Sequence, residues 1–467
     1  MARDVRSFTD RRSFVRSVSH GFGALAFAAL AHRPAAVADT TGVAAASPLA
    51  VRPPHFPARA KRVLMLCMEG GPSHVDTFDH KPELDRRAGE PIGRGRVPTG
   101  ALFPSPWTFR QGGASGLWIS DLYAGVREQA DKLCMLHGMQ TDIPAHPPAF
   151  VQMHTGISTA PRPSMGAWIL YGLGTENANL PGFVTICAPP NNGGSTNFGS
   201  AFLPAAYQGT RIGTARQPIV RAAVANLQSP RSPRLQEEQL AFIRSLSAAA
   251  EERDPDNPFI TGLAEAHALA HRMQGELPPV IDLARESAAM QARYGIGPAE
   301  TDDFGRQCLM ARRLLEAGVR FVEVCHGGWD QHRNLRADHA QHALATDRPI
   351  AGLLQDLADR GMLADTLVIW AGEFGRTPYA QVQDGRDHNH TGYTTWMAGA
   401  GVKGGFAHGA TDEFGFEAVE GRVHIHDWHA TILHLLGLDH ERLTFPYAGR
   451  DMRLTDVKGR VVDAILA

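Results

Sequence analysis

Lys61-Arg62-Val63-Leu64-Met65-Leu66-Cys67-Met68 is almost continuously apolar, and it stops abruptly at Gly70-Gly71-Pro72-Ser73. A strand with one wet face alternates apolar and polar residues; this run does not, so it suits a parallel sheet covered on both faces. Similar strand-like runs recur at Leu133–Met139, Phe183–Cys187, Phe321-Val322-Glu323-Val324, Thr366–Trp370 and Thr394–Ala400. Helical spacing separates them, at Asp121–Lys132, Ala149–His154, Met165–Gly172, Phe304–Ala317, about Leu335–Asp359 and Asp427–Leu436. Gly318 and Gly437 mark helix ends. Strands alternating with helices predict an α/β fold, with a mostly parallel central sheet and helices on both faces. Ala-, Leu-, Glu-, Gln- and Arg-rich sequence at about 230–300 reads as a helical insertion, and 188–221 as a long surface excursion.

The chain has 467 residues, 43% hydrophobic and 20% charged, with a formal net charge of −2. That balance gives no basic surplus for nucleic acid. Arg11-Arg12-Ser13-Phe14-Val15, the small-apolar stretch Gly21–Ala31 and Ala36-Val37-Ala38 read as a twin-arginine signal peptide over 1–38, cleaved after an A-x-A site. The expectation is export to the periplasm or the medium, with no transmembrane segment once the signal is removed. Residues 39–60 read as a linker and 61–467 as the folded domain. The five cysteines show no CxxC spacing, and those in apolar runs read as small buried hydrophobes. The sequence specifies no oligomeric state.

Parallel sheets gather active residues on loops beyond the carboxyl ends of their strands. Three groups stand there. The first is Glu69 to Asp79, where Asp76 and Asp79 either ligate a cation or cap a turn. The second is Glu323 with His326-Gly327-Gly328-Trp329-Asp330-Gln331-His332; Asp330 and His332, two apart on extended chain, point the same way. The third joins Glu373 and Arg376 to Asp387-His388-Asn389-His390, in which His388 and His390 share a face if extended. Carboxylate with imidazole suits zinc, manganese or iron better than calcium. Arg376 serves either a substrate anion or a structural ion pair. His424, His426 and His429 form a looser set near a helix start, where Asp427 reads as an N-cap.

Met68-Glu69-Gly70-Gly71-Pro72-Ser73-His74-Val75-Asp76-Thr77-Phe78-Asp79, ARRLLEAGVRFVEV, Gly328-Trp329-Asp330-Gln331-His332, Gly372–Pro378, His429–Gly437 and Gly449-Arg450-Asp451 together resemble the DUF1501 family. That family is grouped with the alkaline-phosphatase-like superfamily of sulfatases, phosphatases and phosphoglycerate mutases. The resemblance implies a three-layer α/β sandwich and a metal-dependent hydrolase of phosphate or sulfate esters, on a small-molecule or glycan substrate. It implies one or two divalent ions, zinc first and manganese or iron next, held by Asp76 (or Glu69), Asp330, His332, Glu373, Asp387, His388 and His390. The superfamily nucleophile does not carry over: counting back from Thr155-Gly156 reaches His146-Pro147-Pro148, and the nearest upstream hydroxyl is Thr141. Three mechanisms stand: Thr141 as nucleophile, His146 as nucleophile or acid/base, or a metal-activated water with no covalent intermediate. The alternative from another class is a non-catalytic exported protein that binds ligands or organises a surface.

Overall fold

The apolar run Arg62–Met68 forms β1, and all of it from Val63 onward is buried. Its parallel neighbours are β5 (Phe321–His326) and β6 (Thr366–Ala371). The remaining strands of this sheet are β2 (Leu133–Gln140), β3 (Phe183–Ile186), β4 (Thr210–Ile212), β7 (Tyr393–Ala398), β8 (Phe406–His408) and β9 (Val423–His424). In the computed structural model they give a nine-stranded sheet of order β8-β2-β7-β6-β1-β5-β3-β4, with β9 also on β2. All pairings are parallel except those of β7, which runs antiparallel to both β2 and β6. The structure describes residues 47–467 apart from 92–99 and positions 216, 222, 223, 225, 226, 228 and 230. The expected signal peptide lies outside the described residues.

The principal helices are α1 (His146–Thr155), α2 (Met165–Leu173), α3 (Pro233–Glu251), α4 (Pro258–Ile281), α5 (Ala288–Arg293), α6 (Asp302–Glu316), α7 (Leu335–Asp359) and α8 (Ile425–Leu435). β1, β6 and β7 are buried along nearly their whole length, so both sheet faces are covered, as their apolar runs require. α6 has a wide apolar face; it packs on β5 and α7 and buries Phe304, Cys308, Leu309, Leu314 and Leu315. The helical insertion is α3 to α5; α3 buries none of its residues and rests on α4. No helix among the described residues is long and apolar enough to cross a membrane.

Two expectations change. The stretch 188–221 is no surface excursion: it supplies the edge strand β4 and buries Phe198, Phe202, Leu203 and Tyr207. Asp121–Lys132 is not one helix but three short helical segments, Asp121–Tyr123, Ala124–Arg127 and Ala130–Lys132. Residues 47–60 lack regular structure yet lie against the domain: Arg52 N–H bonds Leu173 O, His55 N–H bonds Gly437 O, and Leu49 is buried.

Candidate metal centre

The carboxyl ends of β1, β5 and β6 lie side by side, and the residues just beyond them are Glu69, Asp330 and Glu373. Gly70 makes this possible. Its φ is +114°, and a Cβ there would stand 2.7 Å from Trp329 N and 2.8 Å from Asp330 N. The loops are also tied directly, by Trp329 N–H to Glu69 O at 3.1 Å and Gly70 N–H to the Glu373 carboxylate at 3.0 Å. A fourth element is the hairpin Gly375–Ala380 with Arg386–Asn389, in which His388 sits opposite Arg376. The fifth is α1, which begins at His146 with proline in its first turn. Gln152 anchors its entry loop, accepting from Thr141 Oγ1 at 2.8 Å and donating to Asp142 at 2.5 Å.

Four side chains converge: His146, Asp330, His332 and His388 each offer a donor atom within 4.8 Å of the others. The imidazoles are oriented alike. His388 Nδ1 donates to Pro144 O at 2.7 Å, His146 Nδ1 donates to Glu373 Oε1 at 2.6 Å, and His332 Nδ1 donates to Gln381 Oε1. With Nδ1 committed, each ring turns its Nε2 toward Asp330 Oδ1, at 3.0 Å from His146, 2.9 Å from His332 and 3.3 Å from His388. His332 Nε2 and His388 Nε2 are themselves 3.0 Å apart, and the buried His146 Nε2 makes no hydrogen bond. Imidazoles held at one nitrogen by an acceptor, with the other nitrogens clustered at a carboxylate oxygen, form the environment a divalent ion requires. The centre opens outward, since the Asp330 side chain is 46% exposed and that of Glu373 fully buried.

Charge reinforces the geometry. Burial alone would depress the His146 imidazole, but the adjoining Asp330 and Glu373 carboxylates push its pKa up to about 9. Burial opposes ionisation of Asp330, yet His146, His388 and Arg376 hold its carboxyl far below the usual range. Glu69 is raised, first by burial and then by the Glu373 charge. Three carboxylates thus crowd one mouth.

The other sequence candidates lie elsewhere or act differently. Asp76 is fully buried in a two-pronged ion pair with Arg386 at 2.7 and 3.0 Å and accepts from Ser73; it is a structural anchor, outside the cluster. Arg376 is buried, with its guanidinium engaged by Gly70 O, Gly71 O, Arg386 O and Asp330 Oδ1 (2.7 Å), so it holds Asp330 rather than facing a substrate. Glu373 orients His146. Asp387 and His390 are outside the converging four and line a cavity of about 150 Å³ beside His388 with Pro144, Tyr379 and Phe416. The Thr141 hydroxyl donates to Gln152. Sequence reasoning treated His146 as a reacting group and overlooked its place among the clustered donors; the signal was its position opening a helix. Gln381 gave no signal at all.

An α/β protein with a histidine–carboxylate cluster at the carboxyl edge of a mostly parallel sheet is the class these observations define. The chain belongs to the family described as protein of unknown function DUF1501, whose model matches residues 60–466. None of the curated proteins matches it. Among solved structures, it is similar to the PsFucS1 sulfatase from Pseudoalteromonas sp. (13% identity, 87% of this chain and 72% of that one, TM-score 0.38). It is also similar to a His 135 Glu mutant of TAB5 alkaline phosphatase with Mg bound in its M3 site (12%, 74% and 92%, TM-score 0.32). A third likeness is to an alkaline-phosphatase-superfamily protein from Vibrio parahaemolyticus (10%, 86% and 74%, TM-score 0.36).

Proposed function

We propose that this protein is an exported, metal-dependent hydrolase of phosphate or sulfate esters, acting on a small-molecule or glycan substrate. The observation that carries the reading is the convergence of three oriented imidazole nitrogens on Asp330 Oδ1. His146, Asp330, His332 and His388 are the residues that would hold a divalent ion, zinc by donor type and manganese or iron as alternatives. A bound ion there supplies Lewis-acid charge for an anionic ester and lowers the pKa of water to roughly 7 if it is zinc. The ester class follows the resemblance of the sequence motifs.

The chain's own residues have distinct tasks. Glu373 fixes the His146 ring, Gln381 and the Pro144 carbonyl fix His332 and His388, and Arg376 fixes Asp330 against the Gly70-Gly71 backbone. The groups gathered around Asp330 are imidazoles and a guanidinium, while Thr141 bonds Gln152. This favours attack by water over attack by a side-chain hydroxyl. The test is metal content of purified protein, with aryl phosphate and aryl sulfate turnover before and after chelation. Stoichiometric metal and turnover are expected, with turnover abolished and metal content lowered in Asp330→Ala. A metal-loaded protein that binds glycans without turning over either ester would instead make it a binding protein.

A further inference from the structure

A second set of donors lies within the sheet, separate from the open centre. β1 contributes Cys67, two residues before Glu69. β5 contributes Glu323, seven residues before Asp330, and α1 contributes His154, eight residues after His146. A sulfur, a carboxylate oxygen and an imidazole nitrogen from these three lie within 4.8 Å of one another, and all three side chains are buried. His154 Nδ1 donates to Phe150 O at 2.8 Å, which leaves Nε2 directed into the group, 2.5 Å from Glu323 Oε1. The other carboxylate oxygen accepts from Thr185 Oγ1 at 2.7 Å. Among the described residues, His154 is the only side chain ion-paired with Glu323; no Lys or Arg reaches it.

We propose that Cys67, His154 and Glu323 form a buried three-donor site for a divalent metal ion of the zinc type, distinct from the open centre. Sulfur, nitrogen and oxygen donors in one cluster match the preferences of zinc. Charge fits as well. A dication with one thiolate, one carboxylate and one neutral imidazole sums to zero, so the site can be buried without stranding a net charge. On binding, the Cys67 S–H bond and the His154 Nε2–H bond to Glu323 break and both protons leave to solvent; the thiolate, the freed Nε2 and the Glu323 carboxylate then donate lone pairs to the metal, and no oxidation occurs. The Phe150 carbonyl and Thr185 hydroxyl already hold the imidazole and the carboxylate in orientation, the supporting contacts that ligand groups need. The ion would cross-link β1, β5 and α1, the elements that present Glu69, Asp330 and His146 to the open centre.

The two sites differ in one measurable respect: the open centre's converging donors include no sulfur. Zinc K-edge X-ray absorption on the full-length, zinc-loaded wild-type protein should show a sulfur scatterer at about 2.3 Å besides nitrogen and oxygen. In His388→Ala, zinc per chain should fall while the sulfur contribution per zinc rises. Cobalt-substituted wild-type protein should show a thiolate-to-cobalt charge-transfer band that is absent in Cys67→Ser and retained in His388→Ala. Folding of each variant is checked by circular dichroism. An environment of nitrogen and oxygen alone in fully loaded wild type overturns the proposal and leaves His154 and Glu323 as a metal-free ion pair. That result is independent of the open centre, whose own failure would appear as zinc content unchanged by His388→Ala.

Discussion

Glu373→Gln isolates the orienting contact from the ligand atoms themselves. The Glu373 carboxylate is buried and takes three bonds: Gly70 N–H at 3.0 and 3.2 Å, and His146 Nδ1–H at 2.6 Å. Glutamine has the same size but one acceptor oxygen. Glu373 Oε1 serves both donors, so the glutamine oxygen must take that position; its amide nitrogen then stands donor against donor with Gly70 N–H, and the His146 Nδ1–H bond passes from a charged to a neutral acceptor. With its anchor weakened, the His146 Nε2 is held less firmly beside Asp330 Oδ1, although Asp330, His332 and His388 remain. Removing such a supporting partner typically weakens metal binding about 10- to 100-fold, or about 1.4–2.7 kcal/mol. The assay is competition of apo-protein for zinc against a chromophoric chelator, wild type beside variant, with circular dichroism to confirm folding. The expected outcome is unchanged stoichiometry with affinity lowered in that range. A folded variant that binds zinc as tightly as wild type would refute the role assigned to Glu373 and the inclusion of His146 among the donors.

Other outcomes follow from the same contacts. In chelated protein, His146 titrates near 9 instead of the unfolded value of about 6.5. The raised pKa stabilises the fold fully below pH 6.5, and that contribution, about 3 kcal/mol at most, disappears as pH rises through 9. Urea unfolding at pH 6.5 and 9.5 should show it, and His146→Gln should remove it. Arg386→Met leaves Asp76 buried without its cation and should destabilise the protein by about 3–5 kcal/mol in chemical unfolding. Gly70→Ala forces a side chain at φ +114° against the Trp329-Asp330 backbone, so it should lower both thermal stability and zinc affinity.

Much of the fold was legible because burial on both faces of a parallel strand leaves a local trace. The runs at Val63, Phe321 and Thr366 are apolar nearly throughout, with the buried Glu323 the exception. The direction of β7 left none: Tyr393–Ala398 is as fully buried as the parallel strands of the sheet, and it runs the other way after the hairpin that precedes it. The site was legible where its side chains follow strand ends, as at Asp330 and Glu373. It was illegible where distant partners decide a role. Asp76 is claimed by Arg386, which lies 310 residues further on, and Arg376 by backbone carbonyls at Gly70 and Gly71. Neighbouring positions on a hairpin also diverge, since His388 reaches Asp330 while Asp387 and His390 line the adjacent cavity.

A crystal of zinc-loaded protein, measured on both sides of the zinc absorption edge, addresses the open centre without any assumption about substrate. An anomalous peak bonded to Asp330 and to the Nε2 atoms of His146, His332 and His388, at about 2.0–2.2 Å, is the result predicted. Those three rings still clustered around Asp330, with no anomalous density between them in fully loaded crystals, would contradict it.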